Sequence, residues 1–241
     1  MSRTTIAAIA CWFVCGLALA VEIKDYQTRL EVADDGSAQG SATINVTGAK
    51  AGRLRLPVGF AELSDVHIAS APPDVTIEPG KSGRQAFIDV TFPENATAET
   101  TLSLTYRVTG VLYVQKPEEG QKSAFPAGSR LLRHAFVNTQ ETPIGQYRMT
   151  VLLPNGHIVH AIREQLPRPG RKEFQPRVEL DRFAGRQGAQ LQFSGLRQGD
   201  RTSMEMEVVE EQRSIFWLLA LLPLALGYLF AFRDTVKSQP A

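Results

Sequence analysis

The chain has 241 residues, 43% hydrophobic and 21% charged, with a formal net charge of +1. These proportions belong to a globular protein and exclude a disordered chain or a multi-pass membrane protein. A charge so near zero also argues against an electrostatic nucleic-acid binder, which carries a basic face.

The first segment has the layout of a secretory signal. Arg3 supplies a short positive region, Ile6 to Leu19 is apolar or small throughout, and Ala18-Leu19-Ala20 fits a small-residue cleavage site. Residues 1–20 are therefore expected to be removed, leaving a mature chain that begins at Val21. Both cysteines, Cys11 and Cys15, fall inside this segment. The mature chain then has no disulfide, no thiolate nucleophile and no thiolate metal site, and its core alone must stabilise it.

From Val21 to Arg213 the pattern is that of strands. Tyr26, Thr28, Leu30 and Val32 alternate with Gln27, Arg29 and Glu31, and Ala42, Ile44 and Val46 alternate on the return. Asp34-Asp35-Gly36-Ser37 between them is a turn, because glycine tolerates positive φ and aspartate bonds its own backbone. Further strands are predicted at Leu54–Leu56, Val66–Ile68, Val75–Ile77, Ile88–Phe92 and Leu102–Val108. Residues 115–128 are long, polar and hold two prolines, so they form a linker or a large loop. More strands follow near Leu131–Val137, Tyr147–Leu153, Ile158–Ile162, Val178–Leu180, Leu191–Phe193 and Met204–Val208. Short strands parted by Gly, Pro and Asn turns predict an all-β fold of one or two immunoglobulin-like β-sandwich units, 21–114 and 129–213.

Residues 214–232 carry no charge and would make a helix about 28 Å long, close to the thickness of a bilayer's hydrocarbon core. Phe216 and Trp217 at one edge, with Tyr228, Phe230 and Phe232 near the other, resemble an aromatic belt. The expectation is one C-terminal transmembrane helix, an ectodomain outside the cytoplasm and a short cytoplasmic tail at 233–241. Ala220, Gly227 and Ala231 would share one helical face, a small-residue seam that admits a second helix.

Motifs for chemistry are absent from the sequence. There is no nucleophile elbow, no zinc-binding H-E-x-x-H, no phosphate-binding loop and no dinucleotide motif. His157 and His160 are the closest histidine pair, but residues three apart on a strand point to opposite faces. No metal or cofactor is expected. The basic run from Arg163 to Arg186 is the richest polar feature, and Arg168, Arg171, Lys172 and Arg177 within it are candidates for contact with an anionic partner, since a guanidinium grips two oxygens at once. The plainer reading of that run is a solvated loop with local ion pairs.

Leu30-Glu31-Val32 with Asp35-Gly36-Ser37, then Tyr106-Arg107-Val108-Thr109-Gly110, Pro143-Ile144 and Val151-Leu152-Leu153-Pro154, form a layout that resembles a family of predicted membrane proteins in bacteria. The resemblance implies an exported β-domain that begins with a Gly-turn hairpin and is followed by a membrane span. It implies no mechanism.

Three functions fit these features. The first is a non-enzymatic binding or assembly module of the cell envelope, working through its β surface or sheet edges, with a protein partner or a second copy. The second is a membrane-anchored hydrolase or carbohydrate-active domain. The third is a passive stalk. A deep cleft with converging carboxylates or histidines would favour the enzyme.

Overall fold

The computed structural model describes residues 21–83, 85–114, 128–141, 143–165, 177–183, 185–211, 219–228 and 230. The expected signal segment, most of the 115–128 connection and the ends of the expected span lie outside these residues.

The fold is all-β up to residue 211. In chain order the strands are β1 (Glu22–Val32), β2 (Ala38–Thr47), β3 (Arg53–Pro57), β4 (Leu63–Ser70), β5 (Thr76–Ser82), β6 (Gln85–Thr91) and β7 (Glu99–Val108). After them come β8 (Leu112–Tyr113), β9 (Arg130–Val137), β10 (Ile144–Leu152), β11 (His157–Gln165), β12 (Arg177–Phe183), β13 (Arg186–Leu196) and β14 (Arg201–Glu210). They build three sheets: a large one in the order β12-β13-β10-β1-β2-β7-β4, a four-stranded one in the order β11-β14-β9-β8, and a three-stranded one in the order β3-β6-β5.

The expected first hairpin forms. Tyr26, Thr28, Leu30 and Val32 are buried while Gln27, Arg29 and Glu31 face solvent, and Leu30 stands opposite Gly40 across the antiparallel pair. Period-two alternation selects this register, since a slip of one residue would put the whole apolar row into water. The turn closes through Ala33 N–H donating to Ser37 O at 2.8 Å. The Asp35 carboxylate accepts from the Ser37 hydroxyl and amide, and these bonds hold its pKa below the usual range. Gly36 has φ +82°, and its carbonyl accepts the amides of Val111 and Leu112 at 2.8 and 3.2 Å. A Cβ at Gly36 would collide with the Leu112 carbonyl, so glycine answers both the turn and the docking of 111–112.

The large sheet joins both portions of the chain. β1 pairs in parallel with β10, Tyr26 beside Tyr147, and β10 pairs antiparallel with β13. One continuous cluster of buried side chains draws on all three sheets, from Ile23, Leu56 and Ile88 to Leu132, Phe193 and Met206. Each large apolar side chain so buried contributes about 1.5–3 kcal/mol.

Polar contacts lock the sheets in register. From the large sheet, the Tyr26 hydroxyl donates to Pro57 O at the end of β3, at 3.1 Å. The Tyr147 hydroxyl, also from the large sheet, meets His134 Nε2 of the four-stranded sheet at 3.1 Å. Arg186 at the start of β13 donates through Nε to Leu153 O and through Nη2 to Val32 O, both at 2.7 Å, and so ties two loop-ward strand ends to a third strand.

Some strands were not anticipated in their full extent. β5 runs on through Pro79 and Gly80 to Ser82, and β13 extends well beyond Leu191–Phe193. Proline is tolerated in β5 because that strand is an edge, with no neighbour needing its amide. The two-residue β8 carries too little pattern to be read from sequence.

Residues 219–228 are helical, within the span expected at 214–232. Among the described residues no helix is long and apolar enough to cross a membrane.

Candidate functional site

Two grooves hold clusters of polar side chains. The first, of about 600 Å3, includes Arg53, Arg55, Glu78, Asp89, Gln140 and Glu141. Its central charges are spent on each other. Arg55 Nε and Nη2 each donate to Asp89 at 2.7 Å, and its guanidinium lies 3.9 Å over the Phe87 ring. The bond to Asp89 pushes the Arg55 pKa up, and the Gln140 amide donates to Arg55 O. A bidentate pair stacked on an aromatic ring is geometrically committed and has little left for a ligand.

The second groove, of about 590 Å3, sits where the three sheets converge. Its floor is the outward row of β9, Ala135 and Val137. The Gly59–Glu62 turn forms one wall, and Ser82 and Gln85 of the β5–β6 hairpin form another. Arg133 of β9 and Arg201 of β14 are also in its lining, and both are exposed. Register places them on one face: Arg133 stands opposite Glu205, and Arg201 stands opposite Val137. No ion pair of either arginine is seen among the described residues. Glu62, the acid in the wall, accepts from the Thr109 hydroxyl at 2.6 Å.

The groove's wall is fixed from below. Gly59 has φ +83°, and a Cβ there would collide with the His134 ring, so the turn can lie this close only as glycine. Its carbonyl accepts the Ala135 amide at 3.1 Å, and Gln85 Nε2 donates to Ala135 O at 3.0 Å. These two bonds occupy the backbone edge of β9 at its midpoint. Addition of a further strand is therefore closed at Ala135, and this groove offers side chains rather than a free ladder.

Under the turn lies an aromatic cluster. His134 and Tyr147 stack with centroids 6.1 Å apart, Phe60 meets His134 edge-on at 5.4 Å, and Tyr26 meets Tyr147 edge-on at 5.3 Å. Burial pushes the hydroxyl pKa of Tyr26, Tyr106 and Tyr147 up. Burial drives His134 down to about 3. The imidazole is thus neutral at any physiological pH and sealed from solvent, which is the state of a structural histidine rather than of a proton shuttle.

Of the residues singled out in the sequence, Arg168, Arg171, Lys172 and Ala231 lie outside the described residues. Arg177 is exposed on the edge strand β12 and pairs with Glu179 at 2.5 Å. Elsewhere in the basic run, Arg182 pairs with Glu211 at 3.5 Å and Arg186 is the backbone clamp described above. Ala220 and Gly227 are exposed on the helix, with open space beside Gly227. His157 is buried and within 3.2 Å of Asn155 O, whereas His160 is exposed. Among the described residues no group of three His, Cys, Asp or Glu side chains could hold a metal ion. Sequence reasoning passed over Arg133 and Arg201, because outward charged residues on a strand look like any solvated face. The small Ala135 and Val137 beside Arg133 were the available signal of a trough.

No protein-family model matches the chain, and no curated protein sequence matches it. Several solved structures share parts of its outline. A candidate protease from Parabacteroides distasonis is 11% identical, with 78% of this chain and 40% of that one covered, at a TM-score of 0.46. A candidate nutrient-binding protein from Legionella pneumophila is 14% identical, with 78% and 67% covered, at 0.43. Leukotriene A4 hydrolase from Saccharomyces cerevisiae is 12% identical, with 78% and 29% covered, at 0.41. The chain thus spans less than half the length of the first and third. None of these likenesses assigns it a function.

Proposed function

We propose that this chain is an exported β-sandwich domain, tethered to a membrane by its C-terminal helix, and that it works as a binding module without catalysis. The observation that carries the tether is the surface of residues 219–228. Leu219, Leu221, Leu222, Leu224, Leu226 and Tyr228 cover more than half of the helix circumference, each between 48% and 69% exposed, and the small apolar Ala220, Pro223 and Gly227 fill the rest. Covering one leucine recovers about 1.5–3 kcal/mol, so a helix apolar on all sides is a helix whose solvent is not water. The apolar run from 214 to 232 around it has the length a bilayer requires. The sandwich reading rests on the large sheet facing the two smaller ones across one core, with Tyr26 and Tyr147 bridging the layers.

A hydrolase would need a base that opens on a groove, and His134 does not supply one. Burial holds its imidazole neutral, and it lies wholly inside the core instead of opening on a groove. The groove beside it presents arginines and small side chains, a surface suited to holding a ligand in place.

Membrane extraction tests the tether. The full chain is expected to resist alkaline carbonate and to float with vesicles. Replacing both Leu222 and Leu226 with Lys puts about 5–7 kcal/mol of charge cost into the middle of the span and should release the protein to the supernatant. Parent protein recovered in the soluble fraction would refute the anchor.

A further inference from the structure

We infer that the groove between Arg133 and Arg201 takes an extended acidic peptide, whose carboxylates four residues apart reach one arginine each. The inference rests on the binding-module reading and names its ligand. Three observations carry it. First, the two guanidinium groups are exposed, share one face and make no ion pair among the described residues, so each retains its donors. Secondly, Arg201 lies four positions along and one strand across from Arg133 in the β9–β14 register, a separation of about 14 Å between their backbones. In an extended chain, side chains on one face four residues apart are about 13 Å apart, so one peptide strand spans the pair. A compact anion would meet both only if the two side chains bent towards each other over Ala135, whereas a peptide strand meets each where it stands. Thirdly, the floor between the arginines is Ala135 and Val137, small enough to seat the intervening side chain of such a strand, with the Phe60 turn as a wall.

Nearby acids sharpen the specificity. Glu205 stands opposite Arg133 across the sheet, outside ion-pair distance; Tyr113 beside them has its pKa raised by burial and then by Glu205, with Arg133 acting against both. Glu62 is held by Thr109. These carboxylates repel a ligand whose acids are not aligned with the arginines, so spacing, and not total charge alone, decides affinity. Because Gly59 and Gln85 already occupy the Ala135 backbone, recognition runs through side chains and not through strand addition.

The test uses the full chain in phosphatidylcholine nanodiscs, or in plain buffer should it stay out of the bilayer, so failure of the anchor leaves the titration readable. The probe is a fluorescein-labelled peptide, Gly-Glu-Val-Thr-Val-Glu-Gly, blocked at both ends. Controls are the same peptide with both acids as glutamine, one with the acids two residues apart, inorganic phosphate and soluble glycerophosphoglycerol. The parent peptide should bind with salt-dependent affinity. Arg133→Gln and Arg201→Gln should each weaken it about ten-fold, the loss of one charge-assisted bond, with unfolding midpoints unchanged. The glutamine peptide should not bind, and the closer-spaced one should bind less well. Equal binding of the acid and glutamine peptides, or no effect of the two variants, overturns the proposal. So does stronger binding of phosphate or the headgroup that is lost in both variants, which would give the arginines to a phosphate ligand.

Discussion

His134 shows how one side chain is settled by its surroundings. It sits on β9, and its inward position, opposite Met204, commits it to the core. There it is neutral, with a pKa of about 3 against an unfolded value near 6.5. Below pH 6.5 the unfolded chain takes up a proton that the folded chain refuses. Folding stability should therefore fall as pH drops from about 6.5 towards 3, at about 1.4 kcal/mol per unit from this group. Unfolding free energies from urea titrations at pH 7 and pH 5 should differ by about 2 kcal/mol from this cause, and His134→Gln should flatten the slope while costing stability at both. A parent and variant with equal slopes would mean that His134 is charged in the fold. That residues 131–137 would form a strand was legible in the sequence. That the ring would meet Tyr147 and lie under Gly59 was not, because both contacts join segments with no local signal for each other.

Strands differ in how clearly they announce themselves, and the difference follows burial. β1, β2 and β7 alternate between fully buried and exposed residues, and all three were read from pattern alone. β4, β5 and β12 are edge strands with few or no buried positions, so their apolar periodicity is faint and their limits were misjudged. Edges also need protection against pairing with another chain. β4 and β11 are interrupted by register shifts, β5 contains Pro79, β3 ends at Pro57, and β8 has two residues. β12 has an unbroken seven-residue register with β13 and an exposed Leu180. Among the described residues its guard is charge: Arg177, Glu179, Asp181 and Arg182 among seven residues. Replacing Glu179 and Asp181 with Thr should produce concentration-dependent dimers or larger species in light scattering, while the parent's β12 edge stays unpaired. A monodisperse variant would show that the edge is shielded otherwise. The candidate groove was the least legible feature, since its arginines acquire meaning only from the β9–β14 register and from a turn more than seventy positions earlier.

At the scale of the whole molecule, the parallel pairing of β1 with β10 decides how the chain divides. Residues 21–114 look like a complete sandwich in sequence, yet their β1 leans on β10 along its length, and Tyr26 packs on Tyr147. A fragment of residues 21–114 should therefore lack dispersed amide resonances and a cooperative melt, whereas residues 21–211 should show both. A well-folded short fragment would show that the first portion is self-sufficient. The same pairing sets a clock. At about 5–20 residues per second, the roughly 120 residues from Tyr26 to Tyr147 take on the order of ten seconds to emerge from a ribosome. Throughout that interval the β1 edge that will pair with β10 is open, and Tyr26 lacks the ring of Tyr147. The chain must be shielded for that time, and it also stays slack enough to be drawn lengthwise through a narrow pore.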